Sequence, residues 1–355
     1  MSKFTAYRNF RLSYLEDRQL VFGIHNLWTR VWLLVLLLVL LAAPFVFQSY
    51  WVYTFNLAAI ATVGALGLNL LTGNAGQISL AHASFLALGA YTTAYLAKLG
   101  VPFFVVLPAA GAVAAIAGCL IAIPSLRLKG LYLALATLAF YSIVDFLLRK
   151  AEGLTGGGAG THVPNPSVFG WTINSDRAFY FLILTVAAFC ALLVANLQRT
   201  WVGRAMMAVR DSDIAAEMAG ISVFRTKLTA FAISSFLGGM AGGLLGYYLQ
   251  FINPDNFSLT VSVAYIAMII VGGMGTVFGS IVGAVFMTLL PELVRVSVHA
   301  ISQVLPTLDI QSKGAFFEGA VYGLVIILFL MFKPEGMVRY WRDIMTYFRS
   351  WPFGH

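Results

Sequence analysis

Charge is scarce in this chain. Asp, Glu, Lys and Arg together make up 10% of its 355 residues, against about 25% in soluble domains. With 60% of its residues hydrophobic, the chain cannot clothe itself in a solvated surface, which excludes a soluble globular protein and leaves an integral membrane protein. Cysteine is almost missing. Cys119 and Cys190 both fall inside apolar runs, so buried packing is expected of them rather than a disulfide framework or a metal site. No G-x-x-x-x-G-K-[ST] segment occurs, so the chain cannot bind and hydrolyse ATP through a P-loop of its own. The apolar runs also lack the carboxylate pairs and His clusters of membrane hydrolases, metalloenzymes and proton relays, so neither catalysis nor a metal or cofactor is expected. A cleavable leader is not expected either: Lys3, Arg8, Arg11, Arg18 and Arg30 are mixed with Glu16 and Asp17, and no small-residue cleavage site follows.

What the chain has instead is a succession of apolar runs of roughly 20 residues, the length that spans a ~30 Å hydrocarbon core as a helix. Ten spans are expected, at about 31–47, 52–71, 79–97, 103–123, 131–148, 178–197, 228–250, 261–271, 277–298 and 319–332. This is an all-α polytopic protein: a basic N-terminal segment 1–30, a transmembrane domain 31–332 interrupted by a charged loop 198–227, and a basic tail 333–355. An N-terminus inside the cell places most Lys and Arg inward, including Arg127, Lys129, Arg199, Arg204, Arg210, Arg225 and Lys227. Both termini are then cytoplasmic. The net charge of +8 is loop charge facing a lipid bilayer, not a nucleic-acid footprint.

Two glycine-bearing stretches interrupt the apolar pattern, Thr72–Gln77 (TGNAGQ) and Gly272–Gly279 (GGMGTVFG). Irregular backbone at membrane depth is tolerated only where protein or a water-filled cavity satisfies it. The two breaks are expected to belong to an inverted repeat that builds a translocation path, with Gly272, Gly273, Gly275 and Gly279 in the second. Around the first, Asn69, Asn74, Gly76, Gln77, Ser79 and His82 complete the candidate path; for His82, an interhelical hydrogen bond is favoured over substrate contact. Gly238, Gly239, Gly242, Gly243 and Gly246 offer a face for close helix packing. Asp145 and Arg149, four residues apart, are expected to pair at the outer membrane face.

The charged island WVGRAMMAVRDSDIAAEMAGISVF (Trp201–Phe224) reads as a cytoplasmic handle. Asp211 and Asp213 are expected at a helix N-terminus, Ile214, Ala215, Ala216, Met218 and Ala219 in its body, and Gly220 at its end. Ala216 and Gly220 would share one face, with Glu217 beside them.

GLNLLTGNAGQISLAHASFLALGAY, LTGGGAG, INPDNFS with IVGGMGTVFGSIVGA, and FKPEGM occur in that order between Gly67 and Met337. Together they resemble the signatures of the inner-membrane permeases of branched-chain amino-acid ABC importers, specifically the longer of the two permease types. Ala81, where many members have Gly, and Ser280, where Pro is frequent, depart from the pattern. The resemblance implies a type II importer-like fold and a half-pathway paired with a second, related permease. It also implies two cytoplasmic ATPase subunits and a periplasmic solute-binding protein as partners. The island residues Arg210, Asp211, Asp213, Ala215, Ala216, Glu217 and Gly220 would then form the ATPase-coupling element. Branched-chain or related small amino acids are the implied substrates; urea, short amides and aromatic acids are served by close relatives. An ion-coupled secondary transporter is the competing class, but it should carry ion-binding residues in the spans and needs no coupling helix.

Overall fold

The computed structural model describes residues 38–125, 128, 130–168, 171–304 and scattered positions between 319 and 338. The segment 1–30, Arg127 and Lys129, and nearly all of the tail 333–355 lie outside the described residues, as do much of the first and part of the tenth expected span. The chain divides into Met1–Ser49 and Tyr50–His355. In the former, residues 38–46 are helical.

The larger unit is built from helices α1 (Ser49–Asn69), α2 (His82–Lys98), α3 (Phe103–Ser125), α4 (Leu131–Lys150), α5 (Asp176–Arg199), α6 (Trp201–Asp211), α7 (Asp213–Met218), α8 (Val223–Leu249), α9 (Leu259–Gly272) and α10 (Val277–Val304). Among the described residues, seven helical segments are long and apolar enough to cross a membrane: α1 with its continuation to Asn74, α3, α4, α5, α8, the stretch Pro254–Gly272 that ends in α9, and α10. The shorter α2, with 17 residues, is largely buried. These eight helices correspond to the second through ninth expected spans. The departures from an all-helical chain, among the described residues, are two-residue strands: β1 (Thr161–His162) pairs antiparallel with β4 (Phe251–Ile252), and β2 (Ser167–Val168) with β3 (Trp171–Thr172).

Burial separates central from peripheral helices. In the apolar window of α1, 83% of residues are buried, and in α8 67%, whereas in α4 and α10 the share is 28%. The peripheral helices expose Ile143, Phe146, Leu147, Leu293 and Val296, a composition suited to lipid contact. The expected glycine face of α8 is where the centre closes. A Cβ on Gly242 would run into the Leu86 carbonyl of α2, and one on Gly239 would lie 2.6 Å from the Ala110 oxygen and Ala114 Cβ of α3, so α8 lies against both neighbours with backbones in contact.

Connectivity fixes the two ends of the bundle. Gly130 and Leu133, where α4 begins, share a cavity wall with Gly76 and Arg210. Arg149, near the far end of α4, is ion-paired to Asp255 just before α9. A 20-residue helix rises about 30 Å, so the island and the Arg149 cluster occupy opposite ends.

Candidate functional site

The first break starts as a π turn. Asn69 ends α1, and Leu70–Asn74 is wound as π-helix, closed by the Ala75 N–H donating to Leu70 O at 3.2 Å and the Gln77 N–H to Leu71 O at 3.0 Å. Gly76 follows with φ +67°. The chain then runs without regular structure to α2, its backbone satisfied by neighbours: Leu80 N–H donates to Thr137 Oγ1 of α4 at 3.0 Å, and Ala81 N–H to Ser79 Oγ at 3.3 Å. The second break lies between α9 and α10, with Gly273 at φ +122° and Gly275 at φ +80°. Thr276 starts α10, its Oγ1 accepting from the Gly279 N–H at 3.1 Å, as an N-cap does.

These breaks meet. The Asn69 side chain, 2% exposed, accepts from the Gly275 N–H at 2.8 Å and donates through Nδ2 to Thr276 O at 2.9 Å. Gly73 is so close to Gly275 that a Cβ there would overlap the Gly275 amide and the Asn69 carboxamide. The two breaks therefore touch, Asn69 and Gly73 of the first against Gly275 of the second. They are the two walls of one junction.

The island closes over this junction as two helices rather than one. Thr200 caps α6, Ser212 caps α7 and Ser222 caps α8, their side chains accepting from Gly203, Ala215 and Arg225 N–H groups. Asp211 is therefore the last residue of α6, not the start of a helix, because Ser212 takes the cap. From the last turn of α6, Arg210 reaches inward: Nη1 donates to Gly73 O at 2.9 Å, while Nε and Nη2 donate to Asp211 Oδ1 at 3.1 and 3.0 Å. A Cβ on Gly76 would lie 2.9 Å from Arg210 Cγ, and one on Gly275 3.4 Å from Nη1. Gln198, at the end of α5, adds a bond from Nε2 to Asn74 Oδ1 at 3.0 Å.

Asp213 is also turned inward, paired at 2.8 Å with Lys227, whose side chain is 5% exposed. Ala216 is buried, so the expected face of Ala216 with Gly220 is not the one presented. The presented face carries Ile214 and Met218, 73% and 85% exposed, with Ala215, Glu217 and Gly220 exposed beside them. A cavity of 330 Å³ lies between the first break, the start of α4 and the island, lined among others by Gly76, Ile78, Leu133, Arg210, Asp211 and Lys227.

Other expected path residues are used structurally. Gln77 Nε2 donates to Ala75 O at 3.1 Å. Gly272 and Gly279 pack backbone to backbone. The His82 ring meets that of Tyr265 edge-on with centroids 4.8 Å apart, and neither ring nitrogen makes a hydrogen bond of good geometry, so an edge-to-face ring contact stands where an interhelical bond was favoured. Sequence reasoning missed Gln198, Thr276 and Lys227. Of these, Lys227 carried a signal, a lone cation at the edge of an apolar run.

At the far end, the expected Asp145–Arg149 pair forms at 3.0 Å and is extended by Asp255 at 2.8 Å. Cys119 and Cys190 are free thiols, and no group able to hold a metal ion occurs among the described residues.

Among the described residues, seven apolar helices long enough to span a bilayer, with irregular backbone packed among them, are the architecture of a polytopic membrane protein. The chain belongs to the family described as branched-chain amino acid transport system / permease component, whose model matches residues 50–331. It is 33% identical to the high-affinity branched-chain amino acid transport system permease protein LivM of Salmonella typhimurium, and equally to that of Escherichia coli, over 87% of this chain and 75% of each relative. It is 24% identical to the permease protein LivH of Escherichia coli over 77% of this chain and 89% of that relative. No solved structure matches it.

Proposed function

We propose that this chain is one permease subunit of an ATP-driven importer, contributing half of the path for branched-chain or related small amino acids. Its similarity to both LivM and LivH relatives supports pairing with a second, related permease. ATP hydrolysis belongs to two separate cytoplasmic subunits, since this chain has no P-loop, and a periplasmic binding protein delivers the solute. The island end is cytoplasmic, where Arg199, Arg204, Arg210, Arg225 and Lys227 concentrate, and both termini lie on that side.

The observation that carries the reading is α7, a six-residue helix presenting Ile214 and Met218 beside Glu217 at the end of the bundle where the island meets the two breaks. Two large apolar side chains held in water on so short an element fit a groove on a partner subunit. The test is co-purification. Tagged wild-type chain should recover two ATPases and a second permease and, in proteoliposomes with the binding protein, take up leucine on ATP. Ile214→Asp combined with Met218→Asp should cut ATPase capture by about tenfold or more, a loss of ~1.4 kcal/mol. Uptake by this chain alone, driven by a proton or sodium gradient, would overturn the importer.

A further inference from the structure

The structure joins the island to both breaks through two side chains, and neither contact is needed merely to close a helix. Asn69 uses both ends of its carboxamide on the second break, accepting from Gly275 N–H and donating to Thr276 O. Arg210 places its guanidinium on the carbonyl of Gly73 in the first break. Gly73 lies against both Asn69 and Gly275, so a pull on its carbonyl is felt on each side of the junction. On its other side Arg210 faces the 330 Å³ cavity, which leaves the end of α6 room to move without dragging α4. A stiff contact toward the breaks and free space behind it are what a mechanical linkage requires.

We propose that Arg210 and Asn69 act in series as positioning residues, carrying displacement of the island to the two breaks at once, so that both walls of the junction move together. The proposal rests on the importer function above. Arg210, although 41% exposed, is on this proposal a transmission residue through its bond to Gly73 O rather than a contact for the ATPase.

The experiment uses the complete complex, with both permeases, the ATPases and the binding protein, and reads uptake per ATP hydrolysed. Arg210→Met and Asn69→Ala should assemble normally and hydrolyse ATP, with the ratio lowered about tenfold or more, as loss of a hydrogen bond to a charged or buried group allows. Arg210→Lys, which can still donate to Gly73 O, should recover most of it. Because the two act in series, the double variant should be no worse than the poorer single one. Thr62→Ala, which removes a buried hydrogen bond of α1 to Ala58 O away from the junction, should leave the ratio near wild type.

A wild-type ratio in Arg210→Met or Asn69→Ala would overturn the proposal. So would additive losses in the double variant, or an equal loss in Thr62→Ala, since each describes general packing. Failure of the importer function itself is distinct, because it would appear in the wild-type complex as absent ATP-dependent uptake.

Discussion

The two ends of this bundle are each organised by an arginine in the last turn of a helix, and the arginines are used differently. At the far end, Arg149 binds two carboxylates, Asp145 and Asp255. Its side chain is 43% exposed and that of Asp255 71%, so water and salt compete for every contact. At the island end, Arg210 spends part of its fork on Asp211 and the rest on a backbone carbonyl, above a junction where Asn69 is buried. Nearby Lys227 is buried against Asp213. The two arginines are almost equally solvated, Arg210 being 41% exposed; what sets the island end apart is the bond from Arg210 to a backbone carbonyl and the buried Lys227–Asp213 pair.

That contrast can be broken most sharply at Lys227. Asp213→Ala would leave a nearly buried cation without its carboxylate, and a loss of about 3 kcal/mol is expected, the low end for breaking a buried pair because Asp213 is itself 23% exposed. Thermal unfolding in detergent should record it, and an unchanged midpoint would put the island end on the same footing as the far end. Next in size, Gly73→Val should cost about 1 to 3 kcal/mol through overpacking against Gly275 and Asn69, and should abolish uptake. Gly153→Ala, where a Cβ meets nothing within 4 Å, should be silent in the same assay. The smallest effect is expected at Arg149: Arg149→Gln should cost about 1 kcal/mol or less. That cost should vanish in 1 M salt, where the screening length is about 3 Å, while the Asp213→Ala cost should persist.

Helix positions and both breaks were legible in the sequence, because a 20-residue apolar run and a glycine cluster inside it are local signals. The meeting of Gly73 with Gly275 was not, since no periodicity reports a contact between segments 200 residues apart. Arg210 in a charged island reads as solvated, and 41% of its side chain is exposed; only its place above Gly73 reveals the bond from Nη1 to the backbone. The sequence Asp211-Ser212-Asp213 offers three residues able to cap a helix, and the structure selects Ser212, which moves Asp211 to the preceding helix. Ala216 was misplaced because α7 has only six residues, too few for hydrophobic periodicity to define a face.

The π turn at Leu70–Asn74 stores register. A π turn closes i to i+5 where an α turn closes i to i+4, so α1 reaches Gly73 with one residue of slack already wound in. Letting that residue out would turn everything beyond it by about 100° and advance it about 1.5 Å along the helix axis. Such a step would swing the Gly73 carbonyl away from Arg210 and the Asn74 carboxamide away from Gln198 together. A helix that crosses the centre of the bundle thus continues into a π turn where the island touches it.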